Sequence, residues 1–78
     1  MIENQIEALL SSPPEREELV VQLFVKDGGQ WGEIYRDKDI YWLDLYRSDS
    51  VTLRMKVDDV LDSLNRSVKE LKSRLEGS

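Results

Sequence analysis

Two groups of aspartates are the side chains in this sequence best suited to chemistry. Asp37 and Asp39 share one polar segment, and Asp58, Asp59 and Asp62 lie close together further along the chain. Paired carboxylates can exchange protons with a substrate or bind a hard cation. Neither group has the spacing of a calcium-binding loop, and both fit the acidic residues found at turns and helix starts. We therefore predict structural roles for them and no metal site.

The residue types that most enzymes use are missing. The chain has no histidine and no cysteine, which excludes histidine-based catalytic triads, thiolate metal sites and disulfides. The glycines at 28 and 29 are followed by neither a phosphate-binding motif nor a predicted helix, so we interpret them as a turn. The sequence predicts a non-enzymatic protein without a cofactor.

Negative charge is concentrated near the start of the chain. The net charge is −5, and the first 18 residues hold five acids and one base. This imbalance disfavours binding to a nucleic-acid backbone. It raises an alternative hypothesis, an acidic inhibitor or decoy that occupies the basic groove of a nucleic-acid enzyme. The acids that would act in this way are Glu3, Glu7, Glu15, Glu17 and Glu18.

We predict a cytoplasmic protein without a membrane segment. No apolar run approaches the roughly 20 residues that span a bilayer. The first ten residues, MIENQIEALL, lack the basic start of a secretory signal.

Hydrophobic periodicity predicts the α+β class, with one small domain over residues 1–78. Apolar residues at helical spacing predict a short N-terminal helix over 2–10, before the break at Pro13-Pro14. Residues 18–57 predict a four-stranded antiparallel meander, and residues 58–76 a longer amphipathic helix packed on it. The four predicted strands are 18–26, 31–36, 40–47 and 51–57. Residues 13–25 also fit the beginning of a helix, and that alternative stays open.

The C-terminal helix carries a regular apolar stripe. Its members are spaced four and three residues apart, which is typical of a helix packed along one side. The stripe is too short for a secure coiled-coil prediction, so we expect it to cover the protein's own sheet, with pairing between chains as the alternative. Its members are Val57, Leu61, Leu64, Val68, Leu71 and Leu75.

The third predicted strand, residues 40–47, is apolar on both faces. Strand alternation assigns one face to the main core, covered by the C-terminal helix. The predicted core residues are Leu19, Val21, Leu23, Val25, Tyr41, Leu43, Leu45, Val51, Leu53 and Met55. The other face is the candidate interaction surface, made by Val20, Phe24, Ile40, Trp42 and Tyr46. A turn of two or four residues at 36–39 adds Trp31 and Tyr35 to this surface, whereas a three-residue turn moves both into the core.

Three interpretations cover the candidate surface. The N-terminal helix could lie on it, another protein or a second copy could bind it, or single-stranded nucleic acid could stack on it beside Lys26, Arg54 and Lys56. Asp44 within the patch disfavours nucleic acid. We predict a protein-interaction module that forms a homodimer or binds another protein.

Overall fold

Four antiparallel strands and one helix make up the fold. The computed structural model describes residues 5–26, 29–46 and 54–77. The strands are β1 (Ile6–Ser11), β2 (Val20–Val25), β3 (Gly29–Asp37) and β4 (Ile40–Leu45), and the helix is α1 (Val57–Leu75). Each strand pairs with its neighbour in the chain, in the order β1-β2-β3-β4. This arrangement confirms the predicted α+β class, the antiparallel meander and the C-terminal helix.

The predicted N-terminal helix is wrong where the structure describes it. Residues 6–11 form β1, which pairs with β2 over its whole length, from Ile6 opposite Val25 to Ser11 opposite Val20. A helix of so few residues has little stability of its own, whereas β1 gains a full ladder of backbone hydrogen bonds. The remaining predicted helical residues, 2–4, lie outside the described residues.

The predicted fourth strand needs a correction too. Residues 51–53 lie outside the described residues, residues 54–56 are not in a strand, and Val57 begins α1. Asp58 and Asp59 occupy the first helical turn, where the helix dipole favours acidic side chains. The fourth strand of the sheet is therefore β1.

The segment between β1 and β2 contains one turn rather than a helix. The backbone N–H of Arg16 donates to the carbonyl of Pro13 at 3.1 Å, and the chain is extended again at Val20. The alternative of a helix over residues 13–25 is therefore wrong, because β-branched residues in β2 form the centre of the sheet.

The core lies between the sheet and α1. Its buried members from the sheet and the helix are Val21, Leu23, Val25, Trp31, Ile34 and Leu71. Leu64, Val68 and Leu75 of the helical stripe pack against this cluster, as predicted for a helix on its own sheet. The helix contacts β1, β2 and β3 more than β4. On the face that α1 covers, the margin formed by β4 is therefore left uncovered by the helix.

Three local features fix how β3 meets its neighbours. The turn between β3 and β4 consists of Lys38 and Asp39 alone, both with positive φ, at 54° and 65°. The pairing of β2 with β3 shifts between Leu23 and Phe24, which is a β-bulge. Beyond the bulge, a Cβ atom on Gly32 would lie 2.9 Å from the backbone oxygen of Asp44. Only glycine allows β4 to approach this closely without displacement of the backbone.

Candidate protein-interaction surface

Among the described strands, β4 lies at one edge of the sheet and has apolar side chains on both faces. In the pairing with β3, Leu43 lies opposite Ile34, and Trp42 lies opposite Tyr35. Opposite residues in a ladder share a face. Tyr41, Leu43 and Leu45 therefore lie on the side of the sheet that holds α1, and Ile40, Trp42 and Asp44 lie on the other side.

The two-residue turn predicts the correct sheet face for Tyr35 but not for Trp31. A two-residue turn gives both residues to the Trp42 side by simple alternation, and Tyr35 is found there. Trp31 instead belongs to the buried core cluster, because the bulge inserts one extra residue into β3 and interrupts the alternation at this point. Its indole nitrogen is buried without a hydrogen-bond partner among the described residues.

The seven residues of the candidate surface differ widely in exposure. Val20 and Trp31 are buried, and Phe24 and Tyr35 are half-buried. Ile40, Trp42 and Tyr46 are 53%, 47% and 45% exposed. The surface open to a partner on this side is therefore reduced to three side chains of β4 and the residue after it, and a binding role for them stays a prediction.

Two residues predicted to be in the core are exposed. Leu43 and Leu45 are 41% and 65% exposed, because the helix lies over the other three strands and does not cover the outer half of β4. We refer to the five exposed side chains together as the β4 strip: Ile40, Trp42, Leu43, Leu45 and Tyr46.

A partly buried ion pair covers the centre of the sheet face that carries Trp42. Glu33 of β3 is 4% exposed, and its Oε1 accepts a hydrogen bond of 2.6 Å from Arg16. The guanidinium of Arg16 also lies 3.8 Å from the centre of the Tyr35 ring and 3.9 Å from Oδ2 of Asp44. The loop between β1 and β2, rather than an N-terminal helix, thus supplies the cover for this face.

The surroundings of this pair shift the pKa of its neighbours. Burial raises the pKa of Tyr35, and the charge of Asp44 and the hydrogen bond that the hydroxyl donates to it at 3.2 Å raise it further. Burial alone would lower the pKa of Arg16, but the hydrogen bond and charge of Glu33 outweigh it and raise the pKa. Both pKa shifts favour the protonated forms of Arg16 and Tyr35 in this cluster. Sequence patterns gave no sign of it, because the partners are 17 residues apart.

Two further contacts tie the turn end of the hairpin to the rest of the molecule. Arg36 of β3 donates hydrogen bonds to both carboxylate oxygens of Glu18, and the hydroxyl of Tyr41 donates to Oε2 of Glu76 at 2.6 Å. The hydrogen bonds from Arg36 lower the pKa of Glu18 below its ordinary value of 4.5, against the opposing effect of burial. The β4 end nearest the turn is thus held to the end of α1.

Comparison with known protein families, curated proteins and solved structures finds no match for this chain. Within the described ranges, no group of three or more acidic side chains is arranged to hold a metal ion. No helix in that part of the chain is long and apolar enough to cross a bilayer.

Proposed function

We propose that the chain is a small non-enzymatic protein-interaction module that self-associates through the β4 strip. The observation that carries the proposal is the exposure of five large apolar side chains within residues 40–46, in β4 and the residue after it. Contiguous apolar surface with a polar rim is typical of a protein contact site. Here the rim consists of Asp37, Lys38 and Asp39 at the turn and of Gln30 beside Tyr46.

Protein is a better fit than nucleic acid for this surface. A stacking platform needs exposed ring faces beside available cations. The ring of Tyr35 is already covered by Arg16, which is itself paired with Glu33. Asp44 adds negative charge between Trp42 and Tyr46, so a nucleic-acid backbone would meet repulsion at the centre of the strip.

The acidic-decoy hypothesis has less support than self-association. Glu18, one of its five acids, is engaged by Arg36 within the chain. Glu15 and Glu17 are exposed but lie beside Arg16, and ordinary solubilising charge accounts for them.

Sedimentation of matched variants tests the proposal. We expect the wild-type chain to show a concentration-dependent monomer–dimer equilibrium in the micromolar range. Trp42→Glu should weaken it by about tenfold or more, since a large aromatic side chain at an interface contributes more than about 1.4 kcal/mol. The control is Leu9→Glu, which removes a similarly exposed apolar residue, 52% accessible, from the opposite edge strand and should leave the equilibrium within about twofold.

A wild-type chain that stays monomeric up to about 100 μM would contradict the proposal, because a physiological homodimer needs a dissociation constant below that concentration. An equal effect of Leu9→Glu and Trp42→Glu would also contradict it, since the contact would then not be specific to β4.

A further inference from the structure

A cavity of about 500 Å³ lies between α1 and β1, within the size range of small-molecule sites. Both of its walls belong to elements that the structure describes from end to end. The strand pairing extends to the first described residue, since the carbonyl of Gln5 accepts a hydrogen bond of 2.8 Å from the N–H of Lys26. β1 and β4 lie at opposite ends of the strand order, so the cavity is separate from the β4 strip.

The wall that α1 contributes to this cavity carries small polar residues at buried positions. Ser63 and Ser67 are 7% and 4% exposed, and they are two of the three buried residues of the helix. Serine at such a position leaves space that a large apolar side chain would fill. The hydroxyl oxygen of Ser67 is buried without a hydrogen-bond partner among the described residues. Because Ser67 lines the cavity, a molecule bound there can supply that partner.

The cavity has an apolar floor and an acidic rim. Ile6, Ala8 and Leu10 of β1 lie opposite core residues of β2, so they share the helix side of the sheet, and all three line the cavity. On the helix, carboxylates outnumber cations along the cavity. The charged residues of the described lining are Asp59, Asp62, Arg66 and Glu70.

Two carboxylates stand at the two ends of this rim. Arg66 is paired with Asp62 at 3.0 Å, and Asp59 and Glu70 are not part of that pair. About three helical turns separate Asp59 from Glu70, which places them on one flank of α1 roughly 16 Å apart. The apolar floor runs between them along β1. The cavity is therefore an elongated apolar groove with a negative charge near each end.

We propose that this cavity binds a linear aliphatic polyamine, with ammonium groups at Asp59 and Glu70 and the methylene chain on the apolar floor. Methylene chains that end in an ammonium group pack on apolar surface while the charge stays at the polar rim. An amine N–H can also donate to the hydroxyl of Ser67. A bare metal ion fits less well, because no three acidic side chains of the described ranges are arranged to hold one. The site goes beyond the proposed self-association and does not depend on it.

Titration calorimetry of the full chain with spermine tests the site. We expect a one-to-one complex with a dissociation constant below about 1 mM at low salt. Asp59→Asn combined with Glu70→Gln should weaken binding by about tenfold, since each exposed ion pair contributes up to about fivefold. Both positions are exposed. The matched control is Glu7→Gln, which removes an exposed carboxylate from the other face of β1, opposite Phe24, and should change the affinity by less than about twofold.

Ser67→Ala supplies a second measurement that separates a binding role from a structural one. The variant should bind spermine more weakly than the wild type. Without spermine it should melt at the same temperature or higher, because it loses an unpartnered buried hydroxyl and gains a better helix former. Unchanged spermine affinity together with a lower melting temperature would show that Ser67 serves the fold alone, and would overturn its place in the site.

Two further results would overturn the polyamine site. One is the absence of spermine binding up to about 10 mM. The other is attraction to net charge alone, seen as an equal loss of affinity in Glu7→Gln and the double variant, or as equally tight binding of butylamine, which has a single ammonium group. Neither result bears on self-association through the β4 strip, which sedimentation tests separately.

Discussion

At the scale of single residues, Arg16 and Glu33 form an ion pair on the sheet face that carries Trp42. The side chain of Glu33 is 5% exposed and that of Arg16 is 32% exposed. Among the described residues, Arg16 is the cation that pairs with this buried carboxylate, at 2.6 Å. A buried charge that loses its partner is far more costly than the pair itself is stabilising. The loss of unfolding free energy is therefore expected to be largest when only one residue of the pair is replaced.

We predict that Arg16→Ala lowers the free energy of unfolding by about 1–3 kcal/mol, the cost of an unsatisfied buried polar group. Arg16→Met combined with Glu33→Gln should recover part of the loss, because no buried charge remains. Arg66→Ala is the matched control: its pair with Asp62 is exposed and should contribute only about 0.3–0.5 kcal/mol. Urea unfolding measures all four proteins, and equal losses for Arg16→Ala and Arg66→Ala would contradict the assignment.

The Glu18–Arg36 contact gives a pH-dependent contribution to stability. The pKa of Glu18 is lower in the folded state than its ordinary value of 4.5. Its contribution is therefore fully present above about pH 4.5 and is lost as the pH falls through the folded-state pKa. We expect Glu18→Gln to be less stable than the wild type at neutral pH, and the difference to shrink on acidification toward about pH 3.

Urea unfolding across this pH range checks the expectation. In an Arg36→Met background, the substitution at Glu18 should no longer produce a pH-dependent difference. A gap between wild type and Glu18→Gln that stays constant down to the lowest pH would show that Arg36 does not act on this carboxyl group.

At the scale of elements, the turn between β3 and β4 is built from unfavourable residues. Lys38 and Asp39 both adopt positive φ, a conformation that costs L-residues with a side chain but suits asparagine and glycine. We predict that Lys38→Asn combined with Asp39→Gly raises the free energy of unfolding by about 1 kcal/mol. Thermal unfolding measures the gain. Asp37→Gly, in the adjoining strand, should instead destabilise, and a gain there would contradict the argument.

Elements with strong local patterns could be predicted from the sequence. The helical stripe predicted the bounds of α1 to within one residue at each end. The polar segment at 36–39 predicted the hairpin that β3 and β4 form. The N-terminal strand could not be distinguished from a helix, because Ile6, Leu9 and Leu10 also fit a helical stripe and only pairing with β2 decides between them. Strand pairing is a tertiary interaction that local patterns do not contain.

The candidate surface was predicted only in part, for two physical reasons. Alternation assigns faces correctly as long as the ladder is regular, and the bulge opposite Leu23 and Phe24 ended that regularity before Trp31. The position of α1 across the sheet depends on packing between elements, so the exposure of Leu43 and Leu45 could not follow from their pattern. The Arg16–Glu33 pair joins a loop to a strand and leaves no periodic signal.

At the scale of the whole molecule, the sheet is wider than the single helix that covers it. One helix has about 10 Å of width, whereas four strands at about 4.8 Å spacing extend further. The helix lies over β1, β2 and β3, and β4 remains as an uncovered margin. The proposed self-association would cover two such margins at once.

The two tryptophans of the chain therefore occupy separate optical environments. Trp31 is 8% exposed in the core, and Trp42 is 47% exposed on β4. Emission from Trp31 changes when the core opens, and emission from Trp42 changes when β4 is covered. If Trp42 is replaced by tyrosine, the intrinsic fluorescence of Trp31 reports folding. If Trp31 is replaced by tyrosine, the fluorescence of Trp42 reports association, and neither measurement needs an added label.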